Sequence, residues 1–253
     1  MEVLVSKEAG VLRITLNRPE KKNSITAAMY RAFADALADA RADPKVRVVL
    51  ITGNSEIFTA GNDLADFRDN PPRDNSAPVF AFLTQIRECE KPMVAAVGGA
   101  AIGVGTTMLL HCDLVYVAEN ARFALPFTSL GLVPEAASSY LLPLIAGYQQ
   151  AAELLLLGEP FTAARAKQAG FVTEVLPPDQ VLPAAEKAAA RLAALPPSSV
   201  QATRALLKGA HAGQVARQMH EENERFRLML TEPAAREAFE AFFAKRKPDF
   251  SRL

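Results

Sequence analysis

The stretch Met93–Asp113, MVAAVGGAAIGVGTTMLLHCD, decides how the rest of the chain is read. It opens with consecutive apolar residues, Met93 to Val97, the pattern of a short strand buried on both faces. The run breaks at Gly98-Gly99, passes Gly103 and Gly105, and resumes from Thr106 to Cys112 as a short helix. Strand, glycine-rich turn and helix together leave free backbone N–H groups around a helix N-terminus, where they can hold an anionic oxygen.

Two other readings compete for the same residues. Val94–Cys112 contains no Asp, Glu, Lys or Arg, as a membrane span would, but it is barely long enough and its glycines and alanines make it weakly hydrophobic. Gly99, Gly103 and Gly105 fit a GxxxGxG spacing, with Glu119 after the next strand, as in a dinucleotide-binding turn. Only seven residues separate Gly105 from Asp113, too few for the crossover helix of a βαβ unit. None of the four tyrosines has a lysine four residues on. The oxyanion-binding turn is the reading the remaining sequence supports.

Outward from that stretch, the chain alternates strands and helices. Val3–Ser6 and Val11–Leu16 read as a hairpin turning at Glu8-Ala9-Gly10. Thr26 is placed to cap a helix over Ala27–Ala42, whose apolar stripe is Met29, Phe33, Ala36, Leu37 and Ala40. Val46–Thr52 is a further buried strand. Arg68–Pro78, with three prolines and no apolar periodicity, is expected to form a mobile flap over a pocket. Val79–Cys89 reads as a helix, Leu114–Ala118 as a strand, Gln149–Leu157 and Ala163–Ala169 as helices, and Phe171–Leu176 as a strand. Past Pro178 the pattern is helical only, over 182–195, 199–210, 215–230 and 234–245. The change divides an α/β core, residues 1–177, from a helical region, 178–253.

Half of the 253 residues are hydrophobic, ample for a large core, and 28 basic against 28 acidic residues imply no nucleic-acid or anionic-membrane partner. Cys89 and Cys112 lie in apolar surroundings and suit reduced thiols. The start, MEVLVSKEAG, is charged where a signal peptide needs an apolar run, so a cytoplasmic protein is expected. His111, His211 and His220 show no metal-ligand spacing, and no GxSxG occurs.

Four motifs in order, NRPEKKNSIT, ITG…FTAGNDLADF, KPMVAAVGGAAIGVGTTMLLHCDLVYVAENARFALPF and LGLVPE, resemble the crotonase superfamily of enoyl-CoA hydratases and isomerases. The likeness runs from about Val3 to Phe250. It implies a crotonase-like spiral of ββα units with a C-terminal helical region, assembling as a homotrimer or a dimer of trimers. It further implies an acyl-CoA thioester as substrate, coenzyme A being part of that substrate, with no metal or redox cofactor. Carried over by position, the oxyanion donors are the backbone N–H groups of Asn62 and Val104. The implied substrate contacts are Lys22, Ser24, Ala60, Gly61, Asn62, Asp63, Leu64, Phe67, Gly103, Phe127 and Leu132. Arg18 and Lys21 share the first coenzyme A loop, and Lys245 lies in a C-terminal segment that reaches such sites. Without the resemblance, Asp63 reads simply as the cap of a helix beginning at Leu64.

Hydratases of the family use two glutamates, and at the matching positions stand Thr107 and Phe127. A different carboxylate is present: Glu135, in SLGLVPEAASSYLLP, among Leu130, Leu132, Val133, Pro134, Ala136 and Ala137. With AGNDLADF, that stretch looks closest to the peroxisomal-type Δ3,Δ2-enoyl-CoA isomerases, in which a glutamate here moves a proton. Apolar surroundings should raise its pKa, which suits a group that both takes and returns a proton. The expected activity is therefore a shift of a 3-enoyl-CoA double bond to the 2-trans position. The alternatives are a hydratase or an aromatic or ring-opened acyl-CoA isomerase of the same fold, and a non-catalytic acyl-CoA-binding module.

Overall fold

The computed structural model describes residues 1–251. The chain begins with strands β1 (Val3–Glu8) and β2 (Val11–Leu16), an antiparallel hairpin in register from Val3 opposite Leu16 to Glu8 opposite Val11. Helix α1 (Ala27–Ala42) follows, and the Thr26 side chain accepts the Met29 N–H as its N-cap. Then come β3 (Val48–Thr52), β4 (Ile57–Thr59), α2 (Leu64–Asp69) and α3 (Pro78–Glu88). The central stretch forms β5 (Met93–Val97), β6 (Ala100–Ile102) and α4 (Val104–Thr107), which continues as a 3-10 turn, Met108–His111. Next are β7 (Leu114–Ala118), β8 (Arg122–Ala124), a 3-10 turn Thr128–Leu130, α5 (Ser138–Ala146) and α6 (Tyr148–Ala152), which runs into a π-helical turn, Glu153–Leu157. The chain closes with β9 (Phe161–Thr162), α7 (Ala163–Gln168), β10 (Glu174–Leu176), α8 (Pro178–Ala194), α9 (Pro197–Met229) and α10 (Pro233–Phe243).

From β3 to β8 successive strands go alternately to two sheets, which is the spiral the motifs imply. One sheet has the order β1-β2-β3-β5-β7-β10, the other β4-β6-β8-β9. From β2 to β10 the larger sheet is parallel. Every residue of β3 and β5 is buried, which is why both read as unbroken apolar runs. On one side α1 packs on α3, with Phe82 set 5.3 Å from Tyr30 and 4.8 Å from Phe33 between ring centres. Helix α8 packs against β3, β5 and β7 through Val181, Ala185, Ala189 and Ala193, small residues at four-residue spacing that let a helix approach closely.

Among the described residues no helix is long and apolar enough to cross a membrane, and Val94–Cys112 is divided between two strands, α4 and its 3-10 turn. Three expectations need correction. The strands expected over 46–52 and 171–176 are shorter, at Val48–Thr52 and Glu174–Leu176. Arg68 and Asp69 complete α2 instead of opening a flap, so only 70–77 lie between helices. The helices expected at 199–210 and 215–230 are one, α9. Nothing from His211 to Gln214 breaks a helix outright: Gly209 and Gly213 each cost about 1 kcal/mol against alanine, and 33 residues carry that easily. The Tyr140 hydroxyl meets His211 Nδ1 at 2.9 Å, tying the midpoint of α9 to α5.

Continuity of α9 is testable. A Cβ added at Gly209 or Gly213 would meet nothing within 4 Å. Each Gly→Ala substitution should therefore raise unfolding stability by about 0.5–1 kcal/mol in urea titration. A chain that broke near His211 would gain nothing from either.

Candidate active site

Parallel pairing of β4 with β6 brings the C-terminal ends of both strands together. The chain then leaves each strand through a glycine at positive φ, Gly61 (87°) and Gly103 (56°). A Cβ on Gly61 would stand 2.8 Å from the Ile102 carbonyl oxygen, so the two turns approach more closely than any side chain allows. Gly61 N–H donates to Thr59 Oγ1 at 3.0 Å, and Asp63 N–H donates to the Ile25 carbonyl at 3.0 Å. Between them the Asn62 N–H has no acceptor among the described residues. Gly103 N–H donates to Ala124 O at 2.9 Å, while the Gly103 carbonyl accepts from Thr106 and Thr107. The N–H of Val104, first residue of α4, likewise has no acceptor among the described residues.

The loop around these donors is held from several sides. Asn23, fully buried, donates to the carbonyl of Phe58 at 3.1 Å, and Thr59 donates to the carbonyl of Asn23 at 2.6 Å. Asp63 caps α2 by accepting from Ala65 and Asp66 N–H, and its other oxygen pairs with Arg18 at 2.7 Å and accepts from Ser24. Burial works against the Asp63 carboxylate, but Arg18, the Asp66 N–H and Ser24 outweigh it and hold its pKa below the ordinary value. Asp63 is thus a cap and an ion pair, as its position alone suggested. Arg18 is spent on Asp63 and Glu2, which leaves Lys21 and Lys22 as the cations of that loop at the cavity.

A cavity of about 690 Å³ opens beside the two turns. All eleven expected substrate contacts line it: Lys22, Ser24, the loop Ala60–Leu64, Phe67, Gly103, Phe127 and Leu132. Its remaining wall includes Pro126, Leu130 and four phenylalanines from the C-terminal helices, Phe226, Phe239, Phe242 and Phe243. Lys245 is exposed and does not line it. At the two hydratase positions, Thr107 is buried with its hydroxyl at 3.4 Å from the Val104 carbonyl, and Phe127 is a buried apolar wall.

Glu135 is 2% exposed, in the loop between Leu130 and α5, and like the fully buried Val104 it is not among the residues that line the cavity. Its Oε1 has no hydrogen-bond partner. Burial, reinforced by the nearby negative charge of Glu222, pushes its pKa up to about 8. Its charge also reaches Tyr30, which burial and Glu135 together hold well above its ordinary pKa. The Tyr30 hydroxyl in turn donates to the side-chain oxygen of Asn62. Tyr30 thus bonds the Asn62 side chain and also feels the charge of Glu135.

Tyr30 and Glu222 were not anticipated from the sequence. Tyr30 sits inside the α1 core stripe and shows no separate signal. Glu222 did carry one: Val215, Met219, Glu222 and Phe226 follow one face of α9, and all four are buried. A glutamate on an apolar stripe is the departure that marks it.

The family model described as Enoyl-CoA hydratase/isomerase matches residues 6–252. A 2,3-dehydroadipyl-CoA hydratase of Escherichia coli (strain K12) is 34% identical over 98% of this chain and 98% of its own. The enoyl-CoA delta isomerase 2 of Rattus norvegicus is 36% identical over 81% of this chain, which spans 54% of that longer protein. Among solved structures, an enoyl-CoA hydratase/isomerase from Pseudoalteromonas atlantica T6c superimposes with a TM-score of 0.94 at 45% identity, covering 99% of this chain and 100% of that one.

The raised Glu135 pKa has a consequence for stability. An unfolded chain releases this proton near 4.5 and the folded one near 8, so between those values the folded state binds more protons. Stability from this group is thus present below about 4.5 and falls as pH rises toward 8. Glu135→Gln removes the ionisation. Its melting temperature should exceed that of the wild type by a margin that grows from pH 5 to pH 8 in a thermal-shift series; a gap independent of pH would contradict the burial of an uncompensated carboxyl.

Proposed function

The chain belongs to the enoyl-CoA hydratase/isomerase family, and within it we propose that this protein shifts the double bond of a 3-enoyl-CoA into conjugation, yielding the 2-trans-enoyl-CoA. The observation that carries the reading is Glu135: a buried carboxyl with an unbonded oxygen, whose charge reaches Tyr30, the residue hydrogen-bonded to the Asn62 turn.

The chemistry follows from those parts. The thioester carbonyl oxygen lies against the N–H groups of Asn62 and Val104. The Glu135 carboxylate takes a proton from C2, and the C–H electron pair spreads over the carbonyl oxygen and the C3=C4 bond as a dienolate. The two N–H groups and the N-terminal end of α4 stabilise the negative charge where it develops, one such donor being worth roughly 10²–10³ in rate. Glu135 then gives the proton to C4, the carbonyl re-forms, and the double bond lies between C2 and C3. The carboxylate is regenerated and no proton is gained or lost overall. Since Glu135 must begin ionised, the raised pKa makes the reaction slower at low pH and faster as pH rises toward 8.

Hydration of a 2-enoyl-CoA needs groups that orient and activate water. Thr107 already donates to Val104, Phe127 and Leu132 are apolar, and the one acid on the cavity wall, Asp63, is bound to Arg18. The delta isomerase relative, matched over the region that holds the loop, accords with this reading. A bare acyl-CoA-binding module would have no use for a carboxyl kept buried at the expense of stability.

Kinetics with purified protein test the proposal. Turnover of 3-enoyl-CoA should exceed hydration of 2-enoyl-CoA by orders of magnitude. Glu135→Gln should lower kcat by about 10²-fold or more with affinity for a non-reactive acyl-CoA within a few fold. Asn62→Pro, which removes the N–H, should cost about 10²-fold where Asn62→Ala costs far less. Retention of more than about a tenth of kcat by Glu135→Gln, below the loss expected of a general base, would rule the assignment out.

A further inference from the structure

The loop that carries Glu135 is bent in a way its residues resist. Ala136 and Ala137 both have positive φ, 62° and 54°, a conformation in which a Cβ crowds the backbone. Two alanines in succession there reverse the chain between Glu135 and the start of α5, so something outside the loop must hold them. On one side His111 does so: its Nε2 meets the Ala136 carbonyl at 2.7 Å. A carbonyl only accepts, so Nε2 carries the hydrogen, and burial lowers the ring pKa to about 4, which leaves it neutral.

The other side is held by a residue far along the chain. Glu222 of α9 is 3% exposed, and both of its oxygens are occupied by this loop. Oε2 accepts the Ala137 N–H at 2.5 Å; Oε1 accepts the Ser139 N–H at 2.9 Å and the Ser139 hydroxyl at 2.5 Å. Gln218, one turn back on α9, donates to Ser139 Oγ at 3.0 Å, so the hydroxyl hydrogen is free to point at Glu222. The helix thus supplies from outside the cap that Ala137 cannot give to α5.

We propose that Glu222 is a positioning residue for the isomerisation: its carboxylate clamps the backbone from Ala137 to Ser139, fixes the two-alanine reversal, and so sets the Glu135 carboxyl beside Tyr30 and the Asn62 turn. The inference rests on Glu135 as the proton carrier. Burial raises both carboxyls, Glu135 to about 8 and Glu222 to about 7; the three donors on Glu222 work against that rise while Glu135 Oε1 has none, so Glu222 is the one that ionises first. A simple structural cap would contribute stability alone; a positioning residue also sets kcat.

Glu222→Gln separates the two roles. The amide has one accepting oxygen, so its NH2 must face an N–H of either Ala137 or Ser139, and the clamp opens on that side. Steady-state kinetics with 3-enoyl-CoA and urea unfolding would be measured for Glu222→Gln, Glu135→Gln and the double variant. The expected result is a 10- to 100-fold fall in kcat with KM within threefold, because the oxyanion donors and the coenzyme A loop are untouched. In the Glu135→Gln background the same change should cost less than twofold, there being no carboxylate left to position. A kcat within twofold of wild type for Glu222→Gln, or an equal loss in both backgrounds, would overturn the proposal. Should Glu222→Gln fail to fold, Ser139→Ala removes only the hydroxyl donor: a three- to tenfold loss of kcat supports the clamp, and an unchanged kcat refutes it. Failure of the isomerase reading itself would look different, since Glu135→Gln would then keep its activity whatever Glu222 does.

Discussion

A peptide N–H that donates to nothing is costly inside a protein, and among the described residues those of Asn62 and Val104 have no acceptor, Asn62 lining the cavity and Val104 directly following Gly103, which lines it too. Much of the surrounding architecture serves that condition. The β4 and β6 strands must be parallel neighbours for their ends to meet. Gly61 must lack a Cβ for the turns to close against Ile102. Asn23, Thr59, Arg18 and Asp63 bond polar groups around the loop and hold it in place, leaving the Asn62 N–H, on a residue that lines the cavity, without an acceptor among the described residues.

The same logic governs the buried carboxyl. Glu135 could be satisfied by one nearby donor, and none is provided on Oε1. Burial strips it of solvent, and the charged neighbour that acts on it, Glu222, repels it. Backbone strain at Ala136 and Ala137, a raised pKa and a buried unbonded oxygen thus fall within three consecutive residues. Destabilising features concentrated this tightly are a mark of a site kept for chemistry.

Much of this was legible in the sequence because it is local. The glycines at 61 and 103, the apolar runs of β3 and β5, the Thr26 cap and the unusual Glu135 among apolar residues all announce themselves within a few positions. The eleven residues expected as substrate contacts line the cavity, since the motifs that hold them are contiguous, while Val104 and Glu135 are buried and do not line it. What escaped notice depends on distance. Glu222 meets its partners some 85 positions earlier in the chain, and Phe226, Phe239, Phe242 and Phe243 join the cavity only because α9 and α10 fold back over it. The false break in α9 had another cause: two glycines in an exposed stretch weaken local propensity, and a long helix overrides that preference.

Helix α9 is pinned twice along one face. Near its start, Arg204 reaches Asp113 at 2.7 Å and Lys208 reaches the His111 carbonyl at 2.6 Å. Glu222 lies roughly five turns on from Arg204, about 27 Å along the axis, and meets the α5 loop. Between the two anchors His211 and Gln218 bond α5 residues and Val215 and Met219 are buried, while most of the other side chains are exposed. Insertion or deletion of a single residue there would turn Glu222 by about 100° and shift it by 1.5 Å, pulling it off the loop. The spacing from Arg204 to Glu222 is therefore a ruler, strict in count whatever its exposed positions carry, and functional descendants of this sequence should keep that length.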